Sequence, residues 1–182
     1  MKEKKNLILT IIIFIALIAV VKFSYDYLSK DYIAEESISE SKNQEAKDFT
    51  VYDSIGNEVK LSDFKGKKPV VINIWASWCG PCKTEMPYFE EAIKEYKDDI
   101  EFLMINLTDG LRETKDKAIE YIEDNSFDMK ILFDEKLNVS STYNVNGIPR
   151  TIFIDKNGEI IYDREGAINK TSLDKYINLL LK

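Results

Sequence analysis

The sequence has no histidine. That absence removes Ser-His-Asp and Cys-His nucleophilic catalysis, and every histidine-ligated metal site. Only two cysteines are present, too few for a disulfide-stapled scaffold or a zinc site of four thiolates. Their joint roles narrow to a redox pair, a plain structural disulfide or two bystander thiols. No stripe of Lys and Arg follows the N-terminus and the net charge is −7, so nucleic-acid binding has no electrostatic support. No internal repeat is visible. What remains is ordinary for a globular chain: 182 residues, enough for one domain with a proper core, and 45% hydrophobic composition, which argues against global disorder.

Lys2, Lys4 and Lys5 crowd residues 1–5, and Leu7 to Val21 then runs without a charge. This stretch of fifteen residues would reach roughly 22 Å as a helix, short of a bilayer core of about 30 Å. Snorkelling of Lys22 and interfacial Phe23, Tyr25 and Tyr27 extend it to a span of residues 6–27. A cleaved signal peptide shares the basic start and apolar middle, but no small-x-small cleavage site follows the run. The expectation is a single transmembrane signal-anchor with its basic end in the cytoplasm and everything from residue 28 outside, in an oxidising or redox-variable compartment. Residues 28–47 are polar and rich in Ser, Glu and Lys, and read as a tether.

From residue 48 the pattern becomes that of a folded domain. Phe49–Tyr52 and Val59–Leu61 flank Ser54-Ile55-Gly56-Asn57, a hairpin signal. Val70 to Trp75 is a short, β-branched apolar run, as a buried strand requires. Helices are expected over 81–97, 113–125, 135–143 and 172–181, strands over 100–107 and 131–133, and a second hairpin over 150–155 and 159–162. Alternating strands and helices closed by a hairpin and a helix predict a three-layer α/β domain with a mixed central sheet over 48–182.

The chemistry sits where the buried strand ends. Cys79-Gly80-Pro81-Cys82 follows Ala76-Ser77-Trp78 and opens a helix. Positions i and i+3 of a helix start share a side, so the two sulfurs can approach bonding distance. The first sulfur lies where unpaired N–H groups and the helix dipole favour an anion, which makes Cys79 the nucleophile and Cys82 the resolving thiol. Pro81 suits a first turn, where its missing N–H is not needed. As a staple the pair is weak, since closing so short a loop removes only ~2 kcal/mol of unfolded-state entropy.

Trp75-Ala76-Ser77-Trp78-Cys79-Gly80-Pro81-Cys82-Lys83 resembles the thioredoxin active site. Pro87 matches the proline of that family's active-site helix, and Gly147-Ile148-Pro149 its cis-proline loop. Asn106-Leu107-Thr108-Asp109 and Ile131-Leu132-Phe133-Asp134 resemble the central helix-strand insertion of TlpA/ResA-type proteins, which are membrane-anchored, extracytoplasmic, thioredoxin-like reductases. The resemblance covers about residues 46–182. It implies a thioredoxin-like fold with an N-terminal β-hairpin, a cis Pro149 facing the disulfide, and backbone beside Ile148 that pairs with an extended substrate. Sequence alone also allows a trans turn proline there. Trp78, Gly80, Pro81, Ile148 and Arg150 are the candidate substrate contacts, with Trp78 as an apolar cap; Trp75 reads as core.

Two positions depart from thioredoxin. Its buried acid, six residues before the first Cys, is here Asn73, and Glu85 offers an acid on the face of Cys82 instead, as in TlpA/ResA-type proteins. Glu85 is expected to take the proton of Cys82 as a general base; an ordinary surface glutamate is the bland alternative. Arg150 stands where the family has a small hydroxyl residue. It either favours acidic substrates and depresses the thiols or points into solvent.

The expected activity is reduction of protein disulfides outside the membrane, by a monomer without cofactor or metal. The resemblance implies a CcdA-type membrane thiol transporter as electron donor, and places such proteins in cytochrome c maturation or envelope and spore protein maturation. A disulfide-forming oxidase or isomerase would use the same residues. A Cu(I)-delivery module with two thiolates is the remaining alternative.

Overall fold

A computed structural model describes residues 44–182, together with Phe14, Leu17, Ile18, Val20 and Lys22. Those five are helical and exposed. No helix among the described residues is long and apolar enough to cross a membrane, and the rest of the expected span 6–27 and the tether up to residue 43 lie outside them.

Eight strands form one mixed sheet: β1 Gln44–Glu45, β2 Thr50–Tyr52, β3 Glu58–Lys60, β4 Val70–Trp75, β5 Glu101–Asn106, β6 Ile131–Phe133, β7 Arg150–Ile154 and β8 Glu159–Glu165. Their order across the sheet is β1-β8-β7-β4-β5-β6-β2-β3. The α-helices within residues 44–182 are α1 Gly80–Tyr96, α2 Lys115–Asp124, α3 Asn138–Thr142 and α4 Lys170–Leu180. Central β4 runs parallel to β5 and antiparallel to β7, and all six of its residues are buried.

The period of two along the strands divides the core into two layers. Val71, Trp75, Phe102, Met104 and Phe153 pack with Met86 and Phe89 of α1 and Leu173 and Ile177 of α4. Val70, Ile72, Ile74, Leu103, Ile105, Ile152 and Ile154 pack on the other side with Phe49, Val139 and Tyr143. Asn73 shares the parity of Val71 and Trp75, so the one polar side chain of β4 enters the α1 layer. Phe89 is fully buried there; truncating such a side chain to alanine costs about 3–5 kcal/mol.

Both expected hairpins are present and are built alike. Asp53 Oδ1 accepts the N–H groups of Ile55 and Asn57, and Asp155 Oδ1 those of Asn157 and Glu159. Gly56 and Gly158 supply the left-handed residue, at φ 90° and 89°.

Several boundaries differ from the sequence expectation, and three of them have a visible cause. Gln44 and Glu45, assigned to the tether, pair with Ile160 and Glu159 as an edge strand. Helix α2 begins at Lys115 because Thr114 caps it, its hydroxyl accepting the N–H of Lys117. The helix expected over 135–143 shrinks to α3, since Leu137 takes a left-handed φ of 51° and Asp134 binds the N–H groups of Val139 and Ser140.

Candidate active site

Cys79 and Cys82 are joined by a disulfide at the start of α1. Cys79 is the N-cap: its backbone is extended, and its Sγ accepts the N–H of Cys82 at 3.2 Å. A sulfur in this position receives an orphan donor and the positive end of the helix dipole, and both favour the thiolate once the pair is reduced. Gly80 and Pro81 form the first turn, where proline sacrifices no intrahelical bond. Nothing lies within 4 Å of where a Cβ on Gly80 would stand, so its surface is open to a partner. Cys82 is fully buried, and Cys79 is 4% exposed beneath the rim made by half-exposed Trp78.

The Ile148–Pro149 bond is cis, and the Ile148 carbonyl oxygen lies 3.6 Å from Cys79 Sγ. In the turn before it, a Cβ on Gly147 would stand 2.5 Å from Glu165 Oε1, so a side chain there would require the exposed Glu165 carboxylate to move aside.

Glu85 is 1% exposed, one turn beyond Cys82 on the buried face of α1. Its Oε1 accepts from Asn73 Nδ2 at 2.7 Å, and its Oε2 from the Ile168 N–H at 2.7 Å. Asn73 Nδ2 also donates to Thr151 Oγ1, while Asn73 Oδ1 is buried without a partner. Burial pushes the Glu85 carboxyl up from 4.5 to about 7, against the opposing pull of those two hydrogen bonds and the Arg164 charge. A carboxylate held near neutrality can take and return a proton at physiological pH. Glu85 is thus no surface glutamate.

Arg150 is placed differently from a free cation at the site mouth. Its Nε and Nη2 donate to the two oxygens of Asp163 at 2.8 and 2.7 Å, and Nη1 to the Tyr143 carbonyl at 2.6 Å. Its charge is matched, and the guanidinium fastens β7 to β8 and to the residue that follows α3.

A second buried carboxylate escaped the sequence reading. Glu113 was assigned to a helix, yet it precedes α2 and is fully buried. Its carboxylate accepts from the Ser77 N–H at 3.0 Å, Ser77 Oγ at 2.8 Å and Asn106 Nδ2 at 2.8 Å. It therefore pins the Ala76-Ser77-Trp78 connection from which Cys79 projects. Beside it Arg112 lays its guanidinium on the Trp78 ring, 3.5 Å from the centroid. An acidic residue before an amphipathic run looks like a helix start; only the 36-residue reach back to Ser77 distinguishes it.

The family model described as Redoxin matches residues 41–180. The chain belongs to the Redoxin family. Within it the chain is similar to the thiol-disulfide oxidoreductase ResA of Geobacillus kaustophilus, 35% identical over 133 residues, 72% of this chain and 74% of that protein. The ResA of Geobacillus thermodenitrificans is 29% identical over 178 residues, 97% of each chain. Among solved structures, a putative thiol:disulfide interchange protein DsbE from Chlorobium tepidum superposes with a TM-score of 0.68 at 29% identity, covering 78% of this chain and 98% of that one. This redoxin domain is thus a TlpA/ResA-type, thioredoxin-like thiol–disulfide oxidoreductase, and Cys79–Cys82 is its CxxC pair.

Proposed function

We propose that the enzyme reduces protein disulfides outside the cell membrane, to which residues 6–27 anchor it with the N-terminus in the cytoplasm. The observation that carries the direction of proton flow is Glu85, buried and raised to about 7 on the face of α1 that holds Cys82. The reduced enzyme begins with a Cys79 thiolate, stabilised by the Cys82 N–H and the helix start. It attacks one sulfur of the substrate disulfide. That S–S bond breaks, a Cys79–substrate disulfide forms, and the displaced substrate thiolate takes a proton from water. Glu85 then removes the proton of Cys82, whose thiolate attacks Cys79 Sγ: the Cys79–substrate bond breaks, the Cys79–Cys82 disulfide forms, and the departing substrate thiolate takes the proton back from Glu85. Two electrons have passed to the substrate, which leaves as a dithiol. Two electrons and one proton from a dithiol donor then return the pair to a Cys79 thiolate and a Cys82 thiol; an extracytoplasmic site calls for a membrane thiol transporter of the CcdA type.

The substrate strand runs beside the Ile148 backbone, next to Cys79, with Trp78, Gly80 and Pro81 as the remaining contact surface. The lysine-led apolar run of residues 7–21, and a ResA relative that aligns over 97% of the chain, support the anchored arrangement. Cytochrome c maturation and envelope or spore protein maturation are the processes such a reductase would serve, acting as a monomer.

Trapping tests the reading. Cys82→Ser should accumulate a mixed disulfide between Cys79 and extracytoplasmic proteins, and Cys79→Ser should not. Adducts through Cys82, or digestion of the domain only after the membrane is opened to protease, would overturn it.

A further inference from the structure

The segment between β5 and α2 carries features that the redox chemistry leaves unused. Asp109 Oδ1 accepts the N–H groups of Leu111, Arg112 and Glu113 at 2.8, 2.8 and 2.9 Å, folding the loop back on itself. Glu113 pins its end to Ser77. The loop is thereby held against the connection that leads to Cys79, and Leu111 projects from it 89% exposed. An isolated leucine on a surface needs no explanation. This one adjoins Arg112, whose guanidinium covers the indole of the residue before the nucleophile.

A guanidinium stacked on a ring spends its face and keeps its edge: the N–H donors in its plane stay available for a carboxylate. Arg112 has no side-chain hydrogen bond or ion pair among the described residues. Two further cations stand close by. Lys117 Nζ donates to the Arg112 carbonyl at 3.1 Å, and Lys83, next to Cys82, lies over the Tyr121 ring, 5.4 Å from its centroid. The anions nearby are engaged. Asp109 holds the three loop N–H groups and lies within the field of Arg112, and Glu113 is buried on Ser77 and Asn106. Glu165, on the opposite wall against Gly147, is exposed. In a chain of net charge −7, Arg112, Lys117 and Lys83 place three cations on this side against Asp109 and Glu113.

We propose that Trp78, Leu111 and Arg112 form a docking lip for the substrate polypeptide, and that the lip selects disulfides with an acidic residue beside the attacked cysteine. Trp78 and Leu111 cover the apolar part of the incoming segment, and the free edge of Arg112 takes its carboxylate. Lys83 and Lys117 add steering. This rests on the reductase reading and names its substrate class.

The test uses the reduced full chain in detergent and three peptides, each with one intramolecular disulfide. They differ only in having Glu, Gln or Lys on both sides of each cysteine. Each reduction rate constant is divided by that for a small neutral dithiol, which removes the peptide's intrinsic reactivity. The Glu peptide is expected to be reduced about fivefold faster than the Lys peptide at low salt, with the ratio shrinking as salt rises. Arg112→Glu should bring the ratio to one or invert it, and Arg112→Lys should keep part of it. A wild-type ratio within about twofold of one, or a ratio that Arg112→Glu leaves unchanged, would overturn the lip alone. Failure of the wild type to reduce even the Gln peptide would overturn the reductase reading and the lip with it.

Discussion

Two carboxylates lie within the site and are equally hidden, Glu85 at 1% exposure and Glu113 at 0%. Their surroundings differ in one respect. Glu113 receives three donors, two from Ser77 and one from Asn106, and it joins two loops. Glu85 receives two, from Asn73 and Ile168, and burial holds it at about 7. Each further donor offsets part of the cost of burying a carboxylate, and one with fewer donors bears more of that cost. Both were needed to build this site. Glu113 ties down the connection from which Cys79 projects, and the proposed mechanism gives Glu85 the task of taking the Cys82 proton.

The largest expected effect separates the two directly. Glu85→Gln should slow resolution of the mixed disulfide by about 10²–10⁴-fold, the usual worth of a positioned base. Single-turnover kinetics should then show the Cys79 adduct persisting. The wild-type resolution rate should rise with pH through about 7, as Glu85 ionises, and in Glu85→Gln that rise should move toward the thiol's own range. Glu113→Gln should leave the position of this rise unchanged.

The next effect is on stability. Glu85 is raised in the folded protein, so its native state binds more protons than the unfolded chain between about 4.5 and 7. Stability from this group is complete below the lower value and is lost as pH rises through the upper one, a difference of roughly 3 kcal/mol. Denaturant titrations of the oxidised protein should show that decline in the wild type relative to Glu85→Gln; parallel pH dependences would contradict the burial of an ionisable Glu85.

Glu113→Ala should cost about 1–3 kcal/mol by leaving the Ser77 and Asn106 donors unmatched. Its thermal unfolding midpoint should fall accordingly, while Asp109 and Thr114 still shape the loop. The smallest effect is Asn73→Ala, which removes one of the two donors to Glu85. The pH at which resolution accelerates should move upward, by about 1 kcal/mol in equivalent free energy. A downward move would reverse the role assigned to Asn73.

Much of this was legible from local pattern. The buried strand Val70–Trp75, the Cys79 N-cap, both hairpins and the Glu85 position follow from residues a few places apart, where spacing alone fixes geometry. Glu113 and Arg112 were not legible, because their partners Ser77 and Trp78 are brought to them by the β4–β5 pairing and the loop beyond it. Arg150, standing where the family has a small hydroxyl residue, was expected either to act as a cation beside the site or to point into solvent. Its true partner, Asp163, sits across the β7–β8 pairing, and sequence adjacency does not show which way a side chain turns. The N-terminal strand β1 was missed because two residues pairing at a sheet edge leave no periodicity to detect.

The central claim, that Cys79–Cys82 gives electrons rather than takes them, is tested most directly by the reduction potential of that couple, equilibrated against glutathione or dithiothreitol. A value below about −230 mV is expected, in the range of reductases that depend on a continuing electron supply. A value above about −150 mV would contradict it and assign the enzyme to disulfide formation.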